Sequence, residues 1–214
     1  MFDPARRDAN WHIVRRWQEY EGEARANLLR LIALAGFYCV HLLNYYGLRF
    51  GELSISPGAG LDRRFHIAAT ALACCWAAIG VAVHYALQRR FFPAYLKTMS
   101  TLGDILVLTL MLLIADGPRS PLVSVYFLIV ALAGLRFSIP LVWLATGGCL
   151  ASYLIIIANA FWFRPQFRVA RYHEAIVALS LLVLGVLVGQ ILRAVRRMAA
   201  DYAMRVPAVG ETKP

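Results

Sequence analysis

Six apolar runs follow one another along the chain, beginning near Leu28, Phe65, Leu96, Pro121, Ile139 and Ala175, with short polar segments between them. A membrane crossing takes about 20 mostly apolar residues, slightly fewer where a span is packed among others. The pattern predicts an all-α integral membrane protein built as a six-transmembrane-helix bundle, and it leaves no length for a soluble catalytic domain. Ahead of the first run, Trp11, Val14, Trp17 and Tyr20 recur at about helical spacing, with Arg7, Arg15, Arg16 and Arg25 among them. Such a segment is expected either to lie in the inner headgroup layer as an amphipathic interfacial helix or to pack against the inner end of the bundle. The expected organisation is a cytoplasmic amphipathic leader over 1–26, a six-helix transmembrane domain over 27–193, and a cytoplasmic helix extension with a loose tail over 194–214. No small-residue cleavage pattern precedes the first run, so no removable signal peptide is expected.

Within the runs, small residues mark expected helix contacts. Ala69, Ala73 and Ala77 recur every four residues in the second run, and Gly185 and Gly189 form a G-x-x-x-G in the sixth. Both patterns let a neighbouring helix approach closely. The segment Asp116-Gly117-Pro118-Arg119-Ser120-Pro121 predicts a tight outer turn joining the third and fourth runs into a hairpin, and Arg49 to Arg64 predicts a plain connector.

Composition agrees with the pattern: 60% of the 214 residues are hydrophobic, and the mean hydropathy is +0.61. The net charge of +10 comes from 22 basic and 12 acidic residues. Most of the basic ones, Arg30 and Arg136 included, fall on the segments that are inner if the N-terminus is inside, which the positive-inside rule explains without a nucleic-acid partner. Both termini are therefore expected in the cytoplasm, with the protein integral to the bacterial cytoplasmic (inner) membrane. Cys39, Cys74, Cys75 and Cys149 lie inside apolar runs without C-x-x-C spacing and are expected to be small buried hydrophobes.

Candidate chemistry is sparse. Asp104 sits about two turns into the third run, where an ionised carboxylate needs a partner or water. It shares a helical face with Thr101, Leu108 and Met111, and Gln190 in the sixth run is one polar group it is expected to meet. A second cluster is expected near the outer surface: His41, Asn44 and Tyr45 on one face of the first span, His66 and Thr70 on one face of the second, with Asp116, Asn159, His173 and Glu174 at similar depth. Such a set suits a quinone headgroup, a small polar ligand, a metal or a haem, yet interfacial histidines commonly just satisfy hydrogen bonds. His66 and His84 lie on one face of the second span, and the first span offers no second histidine to pair with His84. No catalytic triad, H-E-x-x-H or phosphate-binding glycine loop is present, so an enzyme is not expected.

The stretches Ser100-Thr101-Leu102-Gly103-Asp104-Ile105-Leu106-Val107-Leu108-Thr109 and Asp116-Gly117-Pro118-Arg119-Ser120-Pro121-Leu122 resemble the membrane-input region of RegB-like and PilS-like sensor histidine kinases. The resemblance implies a six-helix module with cytoplasmic termini, a helix carrying a D-x-x-x-x-T element here formed by Asp104 and Thr109, and an outer turn of the G-G-x-x-N-P kind. In that turn Gly117 falls on the second glycine, Ser120 on the asparagine and Pro121 on the proline, while Asp116 replaces the first glycine. RegB-like sensors use the turn in ubiquinone sensing, so quinone is the ligand the resemblance implies, although no cofactor is required. The phosphorylatable helix and ATP-binding domain of a kinase are not found in the chain.

The expectation is a non-catalytic sensor or signal-input module in the lipid bilayer, relaying a membrane or outer-surface signal to a separate signalling protein, with a homodimer as one form. The alternative is an accessory subunit among other membrane-complex subunits, and a small transporter or haem-binding protein is the third reading. Asp104, Thr109, Asp116, Gly117, Ser120, Pro121, His41, Asn44, His66 and His173 are the candidate ligand-binding or signal-coupling residues; none is a metal ligand.

Overall fold

A computed structural model describes the backbone of residues 4–50, 53–55, 63–89 and 95–205, and the side chains of 20–47, 63–89 and 95–201. The described residues form six α-helices: α1 (Pro4–Tyr46), α2 (Arg63–Gln88), α3 (Leu96–Ile114), α4 (Val125–Leu135), α5 (Ile139–Trp162) and α6 (Arg171–Arg205). Among the described residues, five stretches are long and apolar enough to cross a membrane: Tyr20–Tyr46 in α1, the whole of α2, α3 and α5, and Arg171–Asp201 in α6. The fourth apolar run differs. It forms a shorter apolar helix over Pro121–Leu135, a 3₁₀ turn at Pro121–Ser124 leading into the 11 residues of α4.

The sequence explains why α4 is short. Pro118 and Pro121 lack the N–H that a longer helix would use, so the chain enters through two 3₁₀ turns, with Gly117 at φ +58° supplying the left-handed step. At the other end Phe137 takes φ +50° and donates its N–H to the Gly134 carbonyl at 3.1 Å, closing the helix. A non-glycine residue in this region costs about 1 kcal/mol, so the surroundings must hold the turn. Pro140 then opens α5 within its first turn. α4 touches α1, α3, α5 and α6 and buries Val125, Tyr126, Ile129, Val130, Leu132 and Ala133. A helix surrounded by protein is apolar all round and has no need of bilayer length.

α1 runs without a break from the leader into the first span, so the two share one helix of 43 residues, about 65 Å long at 1.5 Å per residue. The side chains of 1–19, on which an amphipathic leader depends, lie outside the described residues, as do the 90–94 loop and the 206–214 tail. Between α1 and α2, where a connector is expected, a small antiparallel hairpin pairs β1 (Leu48–Phe50) with β2 (Leu53–Ile55), Leu48 opposite Ile55.

Consecutive helices run antiparallel, so that α3 and α5, whose C-terminal ends meet, run parallel. The Tyr20 hydroxyl of α1 donates to the Leu87 carbonyl near the end of α2 at 3.2 Å, whereas His41 and His66 meet at the opposite end of the same pair. Arg196 of α6 likewise reaches the Phe137 carbonyl at the start of α5, and Arg164 beyond α5 reaches the Leu113 carbonyl of α3 at 2.9 Å. The N-terminal part of α1 and the C-terminal part of α6 thus leave the bundle at one end, called here the terminal end; the other is the hairpin end. Tyr126, Tyr153, Leu108, Leu112, Ile156 and Leu181 are completely buried at the centre. Leu28, Ile32, Ile67, Val81, Leu106, Leu154, Leu179 and Ile191 are exposed around the outside, the apolar belt that a lipid-facing surface requires.

Candidate functional site

Polar residues in α1 and α3 recur on matching faces near the terminal end. In α1 they are Glu23, Asn27 and Arg30; in α3 they are Lys97, Ser100, Thr101 and Asp104. Spacings of three and four put each set on a single helical stripe, and the two stripes meet across the bundle. Arg30 pairs with Asp104, Nη2 to Oδ2 at 2.9 Å, and Arg136 at the end of α4 pairs with Glu23, Nε to Oε2 at 2.9 Å. All four residues are 3% exposed or less. Two acids and two bases make the group formally neutral, the condition under which burial of charges in a low dielectric is tolerable.

Neutral groups join the pairs into one network. Trp76 of α2 donates its indole N–H to Asp104 Oδ1 at 2.8 Å, and Asn27 accepts from Arg30 at 3.2 Å while donating to the Gly80 carbonyl of α2 at 3.0 Å. Arg136 donates to the Lys97 carbonyl at 2.9 Å and to the Thr101 hydroxyl. The Ser100 hydroxyl receives both guanidinium groups, Arg30 at 2.5 Å and Arg136 at 3.3 Å, and so links the two ion pairs. Satisfaction is uneven. Asp104 is held on both oxygens, whereas the Glu23 oxygens have no aligned hydrogen-bond donor and rest on the charge of Arg136.

Close backbone approach makes this geometry possible. A Cβ on Gly22 would lie 2.5 Å from the Leu135 carbonyl oxygen, so only glycine lets α1 come near enough for Glu23 to reach Arg136. The Arg136–Phe137 turn is held from two sides, by Glu23 of α1 and by Arg196 of α6, the two helices that continue beyond the bundle. A narrow groove between α1 and α4 opens sideways from the network. Ala33, Leu34 and Phe37 form one wall, Leu128, Ile129 and Leu132 the other, and Arg30, Trp76 and Asp104 the base; it encloses about 270 Å³ counting its open side.

Asp104 is thus a node of a buried ionic network, but its partners are Arg30 and Trp76. Gln190 is exposed on α6 and is not the group it meets. Arg30 and Arg136, which the charge distribution counts among the inner segments, are buried inside the protein. Thr109 faces a different neighbour from Asp104: its hydroxyl lies 3.0 Å from that of Tyr126 in α4 and donates to the Ile105 carbonyl at 2.5 Å.

The expected hairpin-end cluster divides. His41 and His66 meet directly, Nε2 to Nδ1 at 3.1 Å, with Tyr45 stacked on His66 at a centroid separation of 3.9 Å and Tyr38 3.2 Å from Thr70. Asn44, Asp116 and His173 are exposed, and among the described residues no contact brings them to the histidine pair. His84 is also exposed and pairs locally with Gln88. In the turn, Gly117 takes its positive φ, the Ser120 hydroxyl accepts the Leu122 N–H at 3.3 Å, and Pro121 starts the second 3₁₀ turn. Ala69 and Ala73 are buried and Ala77 is half-buried. Gly185 packs on Thr146 of α5 so tightly that a Cβ would fall 2.3 Å from its hydroxyl, while nothing lies within 4 Å of the corresponding point on Gly189. Of the cysteines, expected to be buried, only Cys149 is; Cys39, Cys74 and Cys75 are exposed on α1 and α2.

Glu23, Asn27, Arg30, Trp76, Ser100 and Arg136 were not singled out by sequence reasoning. For Glu23, Asn27 and Arg30 the signal is the three-and-four spacing of polar residues on α1, which continues from the leader into the apolar run. Compared with known proteins, the chain matches no family model, no curated protein and no solved structure.

Proposed function

We propose that this chain is a non-catalytic signal-input module of the bacterial cytoplasmic membrane, with six crossings in which α4 is the short fourth and both termini in the cytoplasm. The observation that carries the reading is the clamp on the Arg136–Phe137 turn, held by Glu23 of α1 and Arg196 of α6. A displacement of the central helix α4, which lines the lateral groove, acts through that turn on both helices that leave the bundle. Those helices are the surface on which a separate signalling protein would read the change.

Native mass spectrometry of the tagged protein, extracted from its own membranes in mild detergent, tests this. A signalling protein bound at the terminal end, and lost when Arg196 is changed to Ala, is the expected result. A fixed stoichiometry with subunits of a membrane enzyme, unaffected by that change, would replace the sensor reading by that of an accessory subunit.

A further inference from the structure

The histidine pair at the hairpin end is built for a different task from the ionic network. His41 lies on α1 and His66 on α2, both half-buried. Their ring planes are within 16° of each other and their centroids are 5.3 Å apart. That separation is the 3.1 Å nitrogen–nitrogen distance plus a ring radius on each side, so the rings meet end to end in a near-linear hydrogen bond. One nitrogen donates and the other must offer its lone pair.

We propose that the His41–His66 bond is a proton-operated latch between α1 and α2 that is closed while at least one ring is neutral and opens when both are protonated. The first added proton goes to an outward nitrogen, His41 Nδ1 or His66 Nε2, and leaves the bond in place as imidazolium donating to imidazole. The second must take the accepting lone pair, which leaves two N–H groups and two positive charges facing each other at 3.1 Å. The bond is then lost and the rings separate.

The groups facing the pair are Tyr38, Tyr45 and Tyr46 from α1, and Phe65 and Thr70 from α2, with Arg63 one turn before His66. Among the described residues no carboxylate contacts either ring to neutralise a second charge. Tyr38 and Thr70, one turn deeper at 3.2 Å, are the next contact to part once the latch opens. The latch does not depend on the proposed function, since it concerns the α1–α2 joint whatever partner the protein has.

Leu43 and Ile67 are exposed on the two helices beside the latch and accept spin labels once the native cysteines are replaced. Pulsed electron paramagnetic resonance on the full chain in nanodiscs, at about pH 7.5 and about pH 4, well below the ordinary histidine value near 6.5 because the second proton meets a charge already on the pair, is expected to give a longer and broader distance at the acidic pH. His41→Gln and His66→Gln should each abolish the dependence on pH. If one variant fails to insert, the other and the unmodified pair still decide the matter. An identical distance at both pH values in the unmodified pair, or an acid shift that survives in the variants, would overturn the proposal.

Discussion

Asp104 and Arg30 form an ion pair inside the bundle, with Trp76 completing the hydrogen bonds of the carboxylate and Asn27 and Ser100 those of the guanidinium. Removing one side of a buried pair strands the other, at about 3–5 kcal/mol, whereas replacing both by apolar groups of similar size is often close to neutral. Asp104→Asn and Arg30→Met alone are therefore each expected to lower thermal stability in detergent strongly, and the combined Arg30→Met/Asp104→Leu chain to recover most of the loss. Single variants within about 0.5 kcal/mol of the parent, as for ordinary surface changes, would show that the network contributes little. Asp104 was legible in the sequence because a carboxylate inside an apolar run is conspicuous. Arg30 was not, since an arginine near the start of a span looks the same whether it snorkels to the headgroups or turns inward.

Helices come close only where the backbone allows it, and Gly22 and Gly36 of α1 give a controlled comparison. A Cβ at position 22 would meet the Leu135 carbonyl oxygen at 2.5 Å, while none of the surroundings lies within 4 Å of one at position 36. Gly22→Ala is expected to push α1 from the end of α4 and weaken the Glu23–Arg136 pair. Gly36→Ala should be neutral or slightly stabilising, by up to about 1 kcal/mol from helix propensity. Melting curves of the two variants check this, and equal losses would argue against a tight α1–α4 joint. The apolar runs themselves were plain from hydropathy. That the fourth run folds as a short central helix was less so, because uniform apolarity marks burial without saying whether lipid or protein does the burying.

The ion pairs join parts of the chain that are far apart in order of synthesis. Glu23 and Arg30 belong to the first helix, whereas their partners Arg136 and Asp104 come from the fourth and third. The first helical hairpin therefore forms before either charge has its ion-pair partner, with only Asn27 and the Gly80 carbonyl to hold Arg30. What stabilises the finished protein is a handicap to the unfinished one. In a chain stopped after Gln88, replacing Glu23 and Arg30 by Leu is expected to lengthen the half-life in a pulse-chase, while the same replacements in the full chain shorten it. A change in the same direction in both would mean that the two helices find another way to shelter those charges. The network thus sets a time limit as well as a geometry: α3 and α4 must arrive before the first hairpin is removed.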